Sequence, residues 1–522
     1  MGSEPGTSIS TLTRETRGLL VGVVLVAAVL RFWGIDFGLP YFYHPDEPAV
    51  IQAAQHVFKT GDPNPRYSAY PGIVFYLNAL AYVPYYVAGR AAGVFHNPAN
   101  IPAPVMLAMG VGRTTMPTSV LLGRSLTAVF GVCAVVLAFL CGWKLRRKPT
   151  VGLMAAFAMA ISPTNVSNSR FVTPDTFLVF FLMLASLGTI SVYLQGRPRD
   201  YALAGVACGL VASSKYNGGI ILLPVVLAHF LRRGFKGWKD ANLYLAISLS
   251  AAAFVLTNPV VVLAYRDFRD GLLFQARGYG KSQAGMKGST VMWYLTYLWQ
   301  HEGPVALLAI AEILRGMRVR CKGTLLLSVF PVVYFAFICT FPVRNNRTLL
   351  PVTPFLFLLG ASLLMAVTRE IAGRQACRTS TYLMVGLLSL VTAVWPLQQT
   401  IKGTLELTAL DGREMARVWI EQNLPPGARI ALEAYAPFVD PQRFSVQGLD
   451  KLADHPADWY AASGFDYLVF SQCMFGRFYY DQQRYAAVVS QYEDLFHAFE
   501  LVRTFPEGTC EIRIYRVTKQ GR

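Results

Sequence analysis

Two adjacent carboxylates, Asp46 and Glu47, follow His44 and Pro45 shortly after the first long apolar stretch of the chain. Ionised side chains so close to hydrocarbon are costly unless they are paired or line a water-filled cavity. A carboxylate held in such a place can accept the proton of an attacking hydroxyl or amine. An ordinary solvated turn is the alternative, because Pro and Asp are common in turns. The pair is therefore the first candidate for catalysis.

Further ionisable residues lie near the ends of later apolar segments. They are Arg124, Arg170, Asp175, Lys215, Arg344 and Arg347. Carboxylates together with fixed cations suit a substrate that bears a phosphate beside a polar group to be activated. For Arg124 and Arg170, salt bridges that fasten loops explain the residues equally well, because buried cations are seldom left unpaired.

The composition is that of a polytopic α-helical membrane protein. Of 522 residues, 54% are hydrophobic and only 15% are charged, against about 25% charged residues in soluble domains. The net charge is +17, but Lys and Arg form short clusters between apolar runs, which indicates membrane topology and no nucleic-acid partner. Residues 18–33 are expected to be a first spanning helix because no cleavage site follows them.

The basic clusters predict the orientation of the chain in the inner membrane. They lie at 14–17, 144–148, 197–199, 232–239, 315–322 and 369–378. If all of them are cytoplasmic, an even number of spans separates each pair. The apolar runs satisfy this rule with about eleven transmembrane helices. These runs are 18–33, 119–143, 150–163, 174–194, 201–213, 217–231, 241–263, 291–314, 323–341, 349–367 and 380–398.

Because the number of spans between the first two basic clusters must be even, residues 34–118 are expected to form one large outer loop, the first in the chain. Within it, the tyrosine-rich, proline-broken stretch 71–92 is typical of a membrane interface. We expect juxtamembrane helices to begin near Glu47 and near Pro71. The alternative is a transmembrane hairpin completed by residues 101–112. With the loop outside, all eight ionisable candidates fall on the extracytoplasmic side.

The polar C-terminal region predicts a second domain. Residues 1–400 form the transmembrane domain, and 401–522 form a small extracytoplasmic α/β domain. Helices are expected at 416–423 and within 482–499, and strands at 429–433, 466–471 and 511–517. Cys473 and Cys510 are the candidates for a disulfide there, and no cysteine spacing indicates a metal site.

Read in order, the candidate residues resemble glycosyltransferases of the membrane-embedded GT-C type, specifically family 39 with its protein O-mannosyltransferases and aminoarabinose transferases. Asp46-Glu47 resembles the acidic pair that the family carries in its first outer loop. The other matching pieces are Tyr70-Pro71-Gly72, Arg124-Ser125-Leu126, Ser169-Arg170 with Asp175, Ser214-Lys215-Tyr216-Asn217-Gly218, Arg344, Arg347 and Leu350-Pro351. The resemblance covers roughly residues 15–370.

The resemblance implies an inverting glycosyltransferase that moves a sugar from a polyprenyl-phosphate donor to a glycan, lipid or protein acceptor. Asp46 would be the catalytic base, and Glu47 would position the acceptor. Arg344, Arg347 or Lys215 would bind the donor phosphate.

Lesser roles follow for the remaining residues. Asp175 would orient an arginine or bind sugar hydroxyls, and Tyr216, Arg124 and Arg170 complete the implied substrate site. No cofactor is required by these residues. Dependence on a divalent metal is left open, because the sequence does not identify a second carboxylate in the first loop that could hold such an ion.

Two competing functions keep the same architecture. A transporter or flippase would also place charges inside a helical bundle, but such proteins tend to show two similar halves with broken helices near the midplane. The sequence shows no such repeat, and its charges cluster on one side. A non-catalytic sugar-lipid-binding protein would retain the fold without Asp46 acting as a base.

Overall fold

The computed structural model describes residues 12–372, 378–506, 508 and 510–518. The first part is almost entirely helical. Its helices are α1 Arg14–Phe32, α2 Glu47–Thr60, α3 Ile73–Ala91, α4 Pro117–Arg146, α5 Pro149–Ile161, α6 Pro163–Asn168, α7 Asp175–Leu194, α8 Pro198–Ser214, α9 Leu222–Arg233, α10 Ala241–Leu256, α11 Val260–Leu263, α12 Tyr265–Gly280, α13 Thr290–Glu302, α14 Val305–Arg318, α15 Lys322–Ile338, α16 Asn346–Leu349, α17 Thr353–Ala372 and α18 Arg378–Thr408.

Several of these helices have the length and composition of membrane spans. Within the described residues, four helical segments meet both criteria: Pro117–Arg146, Asp175–Leu194, Asn346–Ile371 and Met384–Asn423. The shorter helices α5, α10 and α15 are also apolar. The predicted helical class is confirmed, whereas the count of about eleven spans stays a prediction, as does the side that each helix end faces.

Every predicted apolar run contains a helix, but several runs are divided between helices, among them 241–263 between α10 and α11 and 291–314 between α13 and α14. The run 291–314 is divided at Gly303, which has a φ of 65°. Pro304 follows and precedes the first turn of α14. The break arises because a left-handed glycine ends one helix and proline has no N–H to continue its hydrogen-bond ladder.

Small residues let the bundle helices approach closely. A methyl group added at Gly142 of α4 would lie 2.9 Å from the Cα of Gly152 in α5. The same addition at Gly205 of α8 would lie 2.3 Å from the carbonyl oxygen of Ala246 in α10. Close backbone contact of this kind is typical of helices packed within membranes.

The first loop contains the two expected helices and a sheet that the sequence did not predict. Helices α2 and α3 begin at Glu47 and Ile73. The strands β1 Tyr41–Phe42, β2 Val105–Ala108 and β3 Val111–Arg113 form a sheet in the order β1-β3-β2. Because residues 105–113 form an antiparallel hairpin, no second spanning helix is completed by 101–112.

The C-terminal part is an α/β unit, as predicted. Its sheet has the order β5-β4-β6-β8-β7, with β4 parallel to both of its neighbours. The elements are α19 Gly412–Asn423, β4 Arg429–Glu433, β5 Ser445–Leu449, α20 Ala457–Ala462, β6 Tyr467–Ser471, α21 Gln472–Tyr479, α22 Ala486–Ala498, β7 Glu500–Phe505 and β8 Ile512–Arg516. A disulfide joins Cys473 to Cys510.

The two edge strands, β5 and β7, were missed by the sequence patterns. Ser-Val-Gln-Gly-Leu and Glu-Leu-Val-Arg-Thr-Phe mix polar with apolar residues, and only Phe505 among them is buried. Edge strands bury less apolar surface than central ones, so their sequences carry a weaker strand pattern. The unit packs on the first loop, where the Tyr435 N–H donates to the Met109 carbonyl at 2.9 Å.

Candidate active site

Asp46 lies where the first loop meets the membrane bundle. It precedes the first turn of α2, and its Oδ2 forms an ion pair with Arg347 of α16. The Tyr70 hydroxyl donates to the same oxygen at 3.3 Å. The Asp46 side chain remains 27% exposed, so it is both held in place and accessible.

The surroundings of Asp46 favour its ionised form. Burial by itself raises the pKa of Asp46, but the positive charge of Arg347 and smaller contributions from His44 and Lys215 bring that pKa below its usual value. Burial lowers the pKa of His44, whose ring stacks on Phe171 at 4.3 Å between centroids. Burial and the Asp46 charge raise the pKa of Tyr70, which therefore stays a hydrogen-bond donor.

Glu47 points away from this accessible region. Its oxygens accept from Nε and Nη2 of Arg124 at 2.9 and 2.8 Å, and both side chains are fully buried. The Val172 N–H also donates to Glu47 at 3.0 Å, and Arg124 donates to the Ile35 and Phe37 carbonyls, both at 2.9 Å. This network ties α2 to α4 and to the segment before α7, which indicates a positioning role.

Arg170 lies apart from Asp46. It is 2% exposed and donates to the Leu30 carbonyl at the end of α1 and to the Thr404 hydroxyl of α18, at 2.5 and 2.7 Å. These contacts fasten the loop before α7 to two helices, as the alternative reading expected, but they are hydrogen bonds to neutral oxygens and not a salt bridge.

A second ion pair, between Lys215 and Asp175, lies beside Asp46. Lys215 Nζ is 2.5 Å from Asp175 Oδ1, and their side chains are 16% and 1% exposed. Asp175 is the first residue of α7, where the helix dipole favours a negative charge. Its Oδ2 is buried without a hydrogen-bond partner. The pair presents the Lys215 ammonium group towards a cavity.

Two cavities adjoin the Asp46–Arg347 pair. The apolar cavity, about 340 Å³, is lined by Tyr70, Lys215 and Tyr216. Its apolar wall comes from α12 and from the end of α15 and the residues after it: Leu272, Ala276, Phe337, Ile338 and Phe341. The interdomain cavity, about 580 Å³, is lined by Arg344 and Arg347. Both cavities include Tyr279 and Gln275 in their walls.

Arg344 has a fixed place in the interdomain cavity. Its guanidinium donates to the Gly288 carbonyl at 2.8 Å and to the Lys287 carbonyl. These bonds hold the loop that follows α12. Arg344 therefore contributes charge to the cavity while it anchors the loop.

The fold thus brings most of the predicted site residues together around Asp46. The assembled residues are Arg347, Lys215, Asp175, Tyr216 and Arg344, with Glu47 and Arg124 behind them and Arg170 apart. Arg477 of α21, which also lines the interdomain cavity, was missed because nothing in the C-terminal sequence marks a site. Among the described residues, no three His, Cys, Asp or Glu side chains are grouped to hold a metal ion.

Comparison with known proteins gives the fold its name. The chain is similar over 97% of its length to ArnT from Cupriavidus metallidurans bound to undecaprenyl phosphate, with 14% identity, 99% coverage of that chain and a TM-score of 0.53. It is also similar to the oligosaccharyltransferase AglB from Archaeoglobus fulgidus in complex with an inhibitory peptide and a dolichol-phosphate. That match has 13% identity, covers 97% of this chain and 74% of AglB, and has a TM-score of 0.54. The chain has a GT-C glycosyltransferase fold.

Sequence comparison supports the same group. Residues 111–268 match the family described as dolichyl-phosphate-mannose-protein mannosyltransferase. A 100-residue segment is 30% identical to dolichyl-phosphate-mannose--protein mannosyltransferase 1 of Candida albicans, and it spans 18% of this chain and 11% of that protein. The predicted GT-C and family 39 resemblance is confirmed. Of the predicted site residues, the family match contains Arg124, Arg170, Asp175 and Lys215, whereas Asp46 lies before it.

Proposed function

We propose that this chain transfers a sugar from a polyprenyl-phosphate donor to an acceptor by a single inverting displacement at the outer face of the inner membrane. The observation that carries the proposal is the placement of Asp46. It is an accessible carboxylate with a lowered pKa, paired with Arg347 between an apolar and a polar cavity. A transfer reaction needs this arrangement of a base with a separate space for each substrate.

The apolar cavity suits the lipid-linked donor. A polyprenyl chain requires an apolar wall, which Leu272, Phe337 and Phe341 supply, while its phosphate requires a cation. Lys215 lines the same cavity, and Arg347 lies beyond Asp46. The structural relatives were determined with undecaprenyl phosphate and dolichol-phosphate, which are ligands of this chemical class.

The reaction then has a balanced path. Asp46 takes the proton from the acceptor hydroxyl or amine as its lone pair attacks the anomeric carbon. The bond between that carbon and the phosphate oxygen breaks on the opposite face, and the oxygen leaves with the bonding electrons. Lys215 and Arg347 stabilise the charge that grows on the phosphate. One displacement inverts the anomeric centre.

The remaining residues support this core. Glu47 and Arg124 hold α2, and with it Asp46, against the bundle. Asp175 orients Lys215, Tyr216 packs along the donor cavity, Arg344 fixes the loop at residues 287 and 288, and Arg170 fastens the loop before α7. The Cys473–Cys510 disulfide supports an extracytoplasmic C-terminal domain, because such bonds persist in oxidising compartments.

The proposal is tested by mass spectrometry of lipids and envelope glycans. Cells carry the wild-type chain, Asp46→Asn, the control Asp36→Asn, or no copy; Asp36 is an exposed aspartate of the same loop. We expect a product lacking one sugar and an accumulated lipid-phosphate donor in Asp46→Asn and in the null cells only. An unchanged product with an altered distribution of the lipid between leaflets would establish transport and refute the proposal.

A further inference from the structure

We propose that the interdomain cavity binds an acceptor through an anionic group, a carboxylate or a phosphate, and that Arg477 of the C-terminal domain is a specificity-determining residue. This inference rests on the proposed function and names the acceptor class. The cavity lies between the membrane bundle and α21, and it adjoins Asp46 through Arg347. An acceptor bound there has its nucleophile beside the base.

The charge of the cavity selects the ligand class. Three guanidinium groups line it, those of Arg344, Arg347 and Arg477, and none of its described lining residues is Asp or Glu. The nearby carboxylates are occupied, since Asp46 pairs with Arg347 and Asp481 lies 3.6 Å from Lys287. Three fixed cations facing one acidic partner leave an excess of positive charge, which favours an anionic ligand.

Arg477 is the cation that is free to meet this ligand. Arg344 donates to backbone carbonyls and Arg347 pairs with Asp46. Among the ion pairs of the described residues none involves Arg477, whose guanidinium lies 4.7 Å from the centre of the Tyr435 ring. A planar guanidinium held over a ring keeps its edge available for bidentate binding to a carboxylate or phosphate.

The other lining groups fit a sugar. Gln275 and Asn345 can exchange hydrogen bonds with hydroxyls, and the aromatic rings of Trp293 and Tyr279 can pack against a pyranose face. The apolar cavity has a different character, because aliphatic and aromatic side chains form most of its wall. The two cavities therefore divide the lipid donor from a polar, charged acceptor.

The inference is tested by ligand titration of the full chain in nanodiscs. The signal is the fluorescence of Trp293, isolated as the difference between each protein and its Trp293→Phe counterpart. The probes are inorganic phosphate, glucuronate and, as a neutral sugar, glucose. We expect both anions to bind more tightly than glucose, and Arg477→Gln to weaken their binding about tenfold or more. The tighter of the two anions identifies the group that the acceptor carries.

The matched control is Arg484→Gln, an exposed arginine of the same domain that also lies over a tyrosine ring. It should bind all three probes like the wild type. Equal affinity for glucose and the anions, or unchanged anion affinity in Arg477→Gln, would overturn the inference.

Two further measurements separate folding and function. Binding of undecaprenyl phosphate should persist in Arg477→Gln. If the wild-type chain itself does not bind undecaprenyl phosphate, the proposed donor is refuted, while the anion titration still decides the acceptor class. If Arg477→Gln does not fold, Tyr480→Glu is compared with Tyr480→Gln, because Tyr480 lines the cavity and is 75% exposed. We expect only the Glu variant to weaken anion binding, and equal affinities in the pair would overturn the inference.

Discussion

At the scale of single residues, the neighbouring carboxylates Asp46 and Glu47 have opposite environments. Asp46 is partly exposed and paired with Arg347, whereas Glu47 is buried with both oxygens bound. Successive side chains at the start of a helix point about 100° apart, so one faces the cavities and the other the bundle. Under the proposed function, the chemistry falls to Asp46, and Glu47 holds α2 against the bundle.

Asp46→Asn should lower kcat by about 100-fold or more, because an amide cannot accept the acceptor's proton. Binding of undecaprenyl phosphate should be unchanged, since Lys215 and Arg347 stay in place. Transfer assays with the purified chain and its identified donor measure both quantities. Wild-type kcat in Asp46→Asn would remove this residue from the role of base.

The ion pair with Arg347 predicts the pH dependence of transfer. The pKa of Asp46 is lowered, so the base stays ionised as pH falls and kcat/KM should decline only below the usual carboxyl range. Arg347→Gln removes the positive charge, raises the pKa of Asp46 and should move the acidic limb to higher pH. Arg347→Lys keeps the charge and serves as the control. An acidic limb at the same pH in all three proteins would contradict this assignment.

At the scale of elements, the buried Glu47–Arg124 pair joins the first loop to the bundle. Glu47 begins α2, Arg124 lies in α4, and the pair also engages Val172 before α7. Removing one partner leaves an uncompensated buried charge, which costs about 3–5 kcal/mol. The pair therefore determines where α2, and Asp46 with it, sits.

Arg124→Met should accordingly destabilise the chain by about 3–5 kcal/mol, seen as a lower midpoint of thermal unfolding. Glu47→Leu should do the same, and the double variant should lose less than the sum, because no single charge remains buried. A double-mutant cycle in detergent measures the coupling. Additive losses would show that the two side chains do not act as a pair.

At the scale of the whole molecule, the C-terminal unit closes over the site. It contacts the first loop at Met109 and contributes Arg477 to the interdomain cavity. The Lys287–Asp481 contact joins the same unit to the loop after α12. The proposed acceptor site thus exists only when both parts of the chain are assembled.

The proposed orientation of the molecule in the membrane predicts which surfaces face outward. Tyr480 of the C-terminal unit and Phe235 of a predicted cytoplasmic loop are 75% and 91% exposed. In a background without unpaired cysteines, a membrane-impermeant thiol reagent should label Tyr480→Cys in intact cells. It should label Phe235→Cys only after permeabilisation. The reverse pattern would invert the proposed orientation.

The sequence alone determined the local features of this protein. Long apolar runs form helices wherever they occur, because each helix satisfies its own backbone hydrogen bonds, and the central strands β4, β6 and β8 follow from their buried apolar residues. Helix α2 starts at Glu47, as the acidic motif indicated. The weakly patterned β5 and β7 and the short strands of the first loop could not be read locally.

The partners of the site residues depend on contacts between distant parts of the chain. Asp46 and Arg347 are 301 residues apart, and Glu47 and Arg124 are 77 apart. Sequence order cannot tell which of several arginines reaches which carboxylate, because that depends on how the helices pack. The same packing brings Arg477 from a second domain beside Arg347, although nothing in its local sequence marks it as part of a site.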